Sequence, residues 1–280
     1  MSSAFESRQG ERCKGYRKRV LEVSQKVSAL HAAPAFSCLE IVDCIYYDFI
    51  MNNEDISNRD LFIMSKGHGY LAQLVVLEAL GLLPKHHLDE YCTAEGLLGA
   101  HPDLGIPGIK AATGSLGHGL GMAVGVALAL INRSKLMKSP TPKVFCLLSD
   151  GELQEGSTWE AILIAGSLNV KNLFVVIDNN DFQSLGRTSD THPNLYPIAE
   201  KFESFGFEAR SIDGHKHSHI KEAITDLSLT ERPKVIVAKT IKGKGVPFME
   251  STPIWHYRSP SPEEYLDAIA HIDGEVMHEK

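Results

Sequence analysis

Two apolar runs, Val144-Phe145-Cys146-Leu147-Leu148 and Leu173-Phe174-Val175-Val176-Ile177, each end in a polar cluster, and this paired ending constrains the fold more than any other feature. The first leads into Ser149-Asp150-Gly151-Glu152-Leu153-Gln154-Glu155-Gly156, the second into Asp178-Asn179-Asn180-Asp181-Phe182. Their length and their β-branched or aromatic content suit buried parallel strands. Between them, Ser157 to Leu168 repeats apolar residues at helical spacing, behind a Ser/Thr start that can cap the first turn. The expected unit is strand, helix, strand, with a right-handed crossover that brings both strand ends to one edge of a sheet.

Asp150 and Asn180 then face one crevice. A carboxylate, an amide oxygen and a backbone carbonyl just beyond, that of Phe182, are hard oxygen donors of the kind Mg²⁺ or Ca²⁺ takes, and Mg²⁺ completes its shell with waters and substrate phosphates. Gly151 removes a Cβ where a phosphate would approach backbone N–H groups. Singly, Asp-Gly is an ordinary turn and Asn-Asn an ordinary loop. Together they point to a divalent metal that bridges the protein to a diphosphate.

At 280 residues the chain can hold one large α/β domain or two small ones. A net charge of -7, with 28 Lys and Arg and no basic stripe, gives no pull toward nucleic acid or an anionic membrane. Cys13, Cys38, Cys44, Cys92 and Cys146 form no C-x-x-C pair, which suits reduced thiols in a cytoplasmic protein. The polar start has no signal segment. The longest apolar stretch, Met122 to Ile131, is too short to span a bilayer.

Along the chain, residues 11–30 predict an amphipathic helix with Lys and Arg on its outer face, and Cys38 to Met51 a second helix. The run from Ala29 to Ser37 reads as a connection in which His31 meets a proline turn. Arg59 to Ser65 predicts a short strand that ends in Lys66-Gly67-His68-Gly69 before a helix over 70–80. A strand, a glycine-flanked histidine and a helix start make a plausible anion site. Glycines cluster again over 99–121, but no apolar strand precedes them as a dinucleotide fingerprint requires. Gly117, Gly121 and Gly125 recur every four residues on one helical face, which permits close approach by a neighbouring helix. Past Phe182 the pattern predicts a turn, a helix over 197–205, a strand over 208–212, a helix ending near Leu227 and a strand over 233–240. This alternation predicts one α/β domain, a doubly wound, mostly parallel sheet flanked by helices. Residues 1–55 read as its helical N-terminal lead and residues 257–280 as a C-terminal tail.

The segments as a set resemble the transketolase family. The resemblance rests on Asp150-Gly151 with Glu155-Gly156 and Asn179-Asn180, on Lys66-Gly67-His68-Gly69, on His101-Pro102 with Thr113-Gly114-Ser115-Leu116-Gly117, and on Lys242-Gly243-Lys244-Gly245 with Trp255-His256. It covers about residues 15–265 and implies a thiamine diphosphate-binding fold, the diphosphate (PP) domain. It implies a cofactor site built from His68, Gly114, Ser115, Leu116, Asp150, Gly151, Glu152, Glu155, Asn180, Ile241 and His256, and a metal held by Asp150, Asn180 and the Phe182 carbonyl. Mg²⁺ is the implied metal, with Ca²⁺ or Mn²⁺ as alternatives. His31, His68, His101 and His256 are the implied proton-moving residues, and a histidine's ordinary pKa of about 6.5 suits that task. His118 stands where many relatives have Gln.

Two departures stand out. Ser149 precedes Asp150 where the family usually has Gly, and Ala32-Ala33-Pro34-Ala35-Phe36-Ser37 follows His31 where Pro-Gly-Gly-Ser-Leu-Ser is common. The second departure implies a changed pocket wall and an unusual substrate. The implied reaction moves a two-carbon ketol unit from a ketose to an aldehyde, with the cofactor as electron sink. The resemblance stops at the first of three transketolase domains. The chain is therefore expected to form an α2β2 heterotetramer with a separate pyrimidine-domain subunit. Two other readings share the fingerprint: the α-subunit of a 2-oxoacid dehydrogenase, and a non-catalytic subunit that holds cofactor.

Overall fold

The computed structural model describes residues 2–28, 30–184 and 186–274. Ala29 in the expected connection, Leu185 in the expected turn and residues 275–280 of the expected tail lie outside the described residues. In chain order come α1 (Ser2–Ser24), α2 (Ala32–Cys44) with a π-helical continuation over Ile45–Ile50, β1 (Leu61–Met64), α3 (Tyr70–Ala79) and α4 (Lys85–Asp89). The centre holds α5 (Gly119–Met137), β2 (Val144–Ser149), α6 (Gly156–Ser167) and β3 (Leu173–Asn179). The last part holds α7 (Thr188–Thr191), α8 (Ile198–Ser204), β4 (Glu208–Asp213), α9 (His217–Leu227), β5 (Lys234–Lys239) and α10 (Pro262–Asp273).

The described strands form one parallel five-stranded sheet in the order β1-β2-β3-β5-β4. Side chains alternate across it with period two. Phe145, Leu147, Phe174, Val176, Ile236 and Ala238 join the core under α1, α2, α3, α9 and α10. Cys146, Leu148, Val175, Ile177, Val235 and Val237 join the core under α5, α6 and α8. Both faces are covered, which is why the strands read as continuous apolar runs.

The strands step outward from β1 to β3, jump to β4 at the far edge, and return to β5. The order therefore reverses between β3 and β5, and an open sheet of this kind binds ligands at that switch point, outside the carboxyl ends of the strands.

Four expectations need correction. Helix α2 starts at Ala32 rather than Cys38, with Pro34 in its first turn, where an N–H would lack a helical partner anyway. All of its residues are buried, so it is a core helix and part of the domain rather than a lead in front of it. The basic face of α1 is turned partly inward: Arg12 pairs with Asp43, Arg17 with Glu40 and Arg19 with Glu78. In the expected tail, α10 opens on a Ser261/Glu264 capping box and buries Ala268 and Ile272.

Helix α5 is the fourth case. At 19 residues it is long and apolar enough by length and composition to cross a membrane, beyond the shorter stretch read from sequence. Its inner face, Leu120, Ala123, Val124 and Ala127, packs on the sheet. Among the described residues no helix packs against Gly121 or Gly125, since an added Cβ at either would meet nothing within 4 Å. The glycine-proline stretch over 105–109 forms turns, with Gly105 and Gly108 at φ of 95° and 85°.

Candidate active site

Two buried carboxylates organise the carboxyl ends of β2 and β3. Asp178 faces α2 and is fully paired: it forms an ion pair with Lys66 and accepts from Ser37 Oγ at 2.7 Å and from Thr240 Oγ1. Lys66, itself fully buried, also donates to the Pro34 carbonyl at 3.1 Å. Burial alone would lower the Lys66 pKa, but Asp178, with help from Cys38 and Asp150, holds it above its ordinary value. Asn180 Nδ2 reaches the same knot, at 3.0 Å from Ser37 Oγ and 3.2 Å from Asp178.

Asp150 differs. Its oxygens accept from neutral donors: Gly151 N at 2.8 Å, Asp181 N at 2.6 Å and the Tyr196 hydroxyl at 3.3 Å. Among the described residues no cationic side chain forms an ion pair with it. Burial, and then the charge of Asp178, push its pKa up to about 7. A fully buried carboxylate without a cation is a costly arrangement that a bound metal relieves. Asn180 Oδ1 accepts from Phe182 N at 2.9 Å, which folds the Asn180–Phe182 turn back beside Asp150. At Gly151 an added Cβ would meet nothing closer than Gln183 Cβ at 3.6 Å, so packing within the chain does not demand glycine there. An unpaired buried carboxylate with an amide and a carbonyl oxygen beside it is a donor set that suits a divalent metal.

The four histidines expected in the pocket come together, although they are spread over more than two hundred residues of sequence. Ring centroids lie 6.1 Å apart for His31 and His68, 5.6 Å for His31 and His101, 5.2 Å for His31 and His256, and 5.4 Å for His68 and His256. Four different pieces of local structure deliver them, His256 from a short 3-10 helix over Pro253–Tyr257. His31 caps α2 and donates from Nδ1 to the His256 carbonyl at 2.9 Å. His68 sits in the turn after β1. His101 is carried by a glycine nest: a Cβ on Gly67 would lie 2.7 Å from Gly114 Cα, and a Cβ on Gly114 would lie 3.0 Å from the His101 ring. The cluster stays uncharged. Burial lowers His31 to about 4 and His256 to about 3, the latter with help from Lys242, and drives His68 well below its ordinary value.

Lys242 is the group that sequence reasoning passed over. The Lys-Gly-Lys-Gly turn has the look of a solvated loop, yet Lys242 is 1% exposed. Its Nζ lies 2.8 Å from His256 Nδ1 and 3.0 Å from the Gln183 carbonyl. Burial and the nearby Lys66 lower its pKa to about 8. Lys66 and Asp178 were legible only as motif neighbours, because their partnership spans 112 residues.

Other expected residues fall outside the cluster. Glu152 is a buried strut that accepts from Ser65 Oγ and from Gly117 N at 2.9 Å. Glu155 occupies the N-cap position of α6 at the surface, beside Gly117, without a capping side-chain bond. Ser115 is exposed, Leu116 is half-buried, and the exposed His118 bonds back to their carbonyls. Ile241 follows β5 and leads into Lys242. Elsewhere, Cys44, Asp48 and His217 lie close enough to share a cation. Asp48 already holds Lys221 at 2.8 Å and His217 at 2.6 Å, so its charge is balanced without a metal.

Residues 11–265 match the family described as transketolase, thiamine diphosphate binding domain. An apulose-4-phosphate transketolase subunit from Phocaeicola vulgatus is 32% identical over 264 residues, covering 93% of this chain and 92% of the relative. The 6-deoxy-6-sulfo-D-fructose transketolase subunit SqwG of a Clostridium species is also 32% identical over 264 residues, covering 92% and 94%. Among solved structures, the transketolase of Campylobacter jejuni superposes with a TM-score of 0.83 at 26% identity, over 95% of this chain but 42% of that one. The transketolase of Leishmania mexicana shares the fold with a TM-score of 0.85 at 24% identity, over 95% of this chain and 41% of that one. The chain thus spans about two fifths of the solved transketolases and nearly the full length of the subunit relatives. A family match that runs from the first helix to the last, with subunit-length relatives on either side of it, leaves one assignment: this chain belongs to the transketolase family.

Proposed function

We propose that this chain is the thiamine diphosphate-binding half of a two-chain transketolase that moves a two-carbon ketol unit from a ketose to an aldehyde, and that a pyrimidine-domain subunit completes its site. The observation that carries this reading is the convergence of His31, His68, His101 and His256 in one pocket, with Lys242 against it. Asp150, Asn180 and the Phe182 carbonyl would hold a divalent cation, with Mg²⁺ the best match to an all-oxygen set that shares a diphosphate. When bound, the cofactor supplies the electron sink for cleavage of the carbon–carbon bond beside the carbonyl.

The residues of the chain then divide the work. His31, held neutral, can accept a proton at one ring nitrogen without first losing one, whereas the Nδ1 lone pair of His256 is taken by the Lys242 ammonium, which leaves its Nε2–H as a donor. The Nδ1 of His31 is committed to the His256 carbonyl, so its Nε2 is the free acceptor. Lys242 adds a cation for an anionic group, and its proximity keeps His256 unprotonated. Ala32, Ala33 and Ala35 are buried in the core. The relatives are named for apulose-4-phosphate and 6-deoxy-6-sulfo-D-fructose, and a branched or sulfonated ketose is the substrate class those names support.

The test is reconstitution. The chain with thiamine diphosphate and Mg²⁺ is assayed for two-carbon transfer from a panel of ketose donors, alone and with a co-expressed pyrimidine-domain subunit. Turnover only in the mixture is expected. Full transfer by the chain alone, or cofactor binding without turnover in the mixture, would overturn the proposal.

A further inference from the structure

The loop after β5 carries Lys242 into the histidine pocket, where its Nζ bonds to His256 Nδ1 and to the Gln183 carbonyl. Lys242 is a buried ammonium near a second one, Lys66, and among the described residues no carboxylate forms an ion pair with it. Those two bonds hold the side chain, and the backbone of the loop is held separately, from behind. A closed circuit of side chains does this. The Ile241 N–H donates to His215 Nε2 at 2.9 Å. An amide N–H can only donate, so Nε2 carries the lone pair and the ring proton is on Nδ1. That Nδ1 lies 3.0 Å from Glu40 Oε2 and donates to it. Glu40 Oε1 accepts from Arg17 Nη2 at 2.7 Å, and Arg17 Nε donates to the Lys244 carbonyl at 2.7 Å.

The circuit starts at Ile241, ends at Lys244 and passes through three separate elements: the turn before α9, α2 and α1. Two further contacts tighten it. Gly243 N donates to the Ala33 carbonyl at 3.0 Å, and a Cβ on Gly245 would lie 3.1 Å from Arg17. Arg17, Glu40 and His215 are each mostly buried, with side chains 7%, 12% and 13% exposed, so water does not substitute for the bonds.

We propose that His215, acting through Glu40 and Arg17, is a positioning residue that clamps the 241–245 loop and so sets where Lys242 presents its ammonium in the pocket. The role of that ammonium as a contact for an anionic cofactor rests on the function proposed above, whereas the clamp itself does not. His215 touches the backbone of Ile241 and not the pocket, so its loss loosens a binding group without removing one.

Two readouts test this. In the cofactor-free chain, His215→Leu is expected to raise amide hydrogen exchange in a peptide spanning 240–246 by about 10-fold, the loss of one buried hydrogen bond to a charged network. His215→Gln, which can accept from Ile241 and donate to Glu40, is expected to restore most of the protection. If His215→Leu does not fold, His215→Asn, too short to span both partners, stands in for it with the same expectation. In the complex with the partner subunit, His215→Leu is expected to raise the dissociation constant for thiamine diphosphate about 10-fold and to leave kcat at saturating cofactor within about 3-fold. The same change in a Lys242→Met background is expected to add little. Unchanged exchange in His215→Leu sinks the clamp. Increased exchange with a cofactor effect that persists undiminished in the Lys242→Met background sinks the route through Lys242. A chain that binds no cofactor but shows the exchange pattern fails the functional proposal alone.

Discussion

At the scale of single residues, burial shifts the pKa values of the groups that the pocket collects. His31 and His256 have folded pKa values of about 4 and 3, below the ordinary 6.5, because burial disfavours the charged ring. Below pH 6.5 the unfolded chain therefore binds protons that the folded chain refuses. Stability from these two groups is complete above pH 6.5 and is lost as pH falls through about 4. Urea unfolding across pH 4 to 7 should show this acid-side slope, and His31→Gln and His256→Gln should each make it shallower. Lys242→Met should weaken thiamine diphosphate binding by about 10- to 100-fold, the value of a charge-assisted hydrogen bond, measured by cofactor titration. Thermal stability should hold or rise in that variant, because a buried cation lowered to about 8 is relieved. Lys66→Met behaves in the opposite way. It strands the Asp178 carboxylate in the core, and denaturant unfolding should show a loss of about 3–5 kcal/mol, part of which adding Asp178→Asn should recover.

At the scale of elements, glycines decide how closely the loops nest. Gly67 lies against Gly114, and a methyl group at Gly67 would sit 2.7 Å from backbone that cannot swing aside. Gly67→Ala should cost about 1–3 kcal/mol by overpacking and should displace His101 and His68 from each other. Activity in the reconstituted enzyme should fall far more than that stability loss explains, and a crystal structure of the variant would show the widened ring separation. The strands and most helices were legible, since period-two burial on both faces of the sheet leaves continuous apolar runs and the crossover helices keep their spacing. The start of α2 was not. Proline reads as a turn signal in sequence, and only the helix geometry reveals that Pro34 occupies a first-turn position where it costs no hydrogen bond.

At the scale of the whole molecule, the outer sides of α5 and α6 leave apolar side chains in water: Met122 is 37% exposed, Leu163 52%, Ile164 48% and Leu168 57%. Under the proposed function, such a face suits contact with the second subunit. Leu163→Lys combined with Ile164→Lys should leave the unfolding midpoint of the isolated chain nearly unchanged, as surface substitutions do, while size-exclusion chromatography with the partner subunit shows weakened assembly. Unimpaired assembly would move the interface elsewhere.

The local pattern of the chain by itself determined the order of the strands and of the helices between them and the polar endings at Asp150 and Asn180, because each is written in a short stretch of neighbouring residues, while the four histidines were singled out by the resemblance to the transketolase family. The tertiary structure alone decided which of these groups meet. Asp178 and Lys66, Lys242 and His256, and the circuit from Ile241 through His215 and Glu40 to Arg17 join segments tens to hundreds of residues apart, and no periodicity records such a contact. It decided charge as well. Whether a carboxylate, an imidazole or an ammonium keeps its ordinary proton depends on burial and on the nearest opposite charge. Asp150 and Asp178 follow similar apolar runs and look alike in sequence, yet Asp178 is sealed by a lysine and, among the described residues, no cation pairs with Asp150.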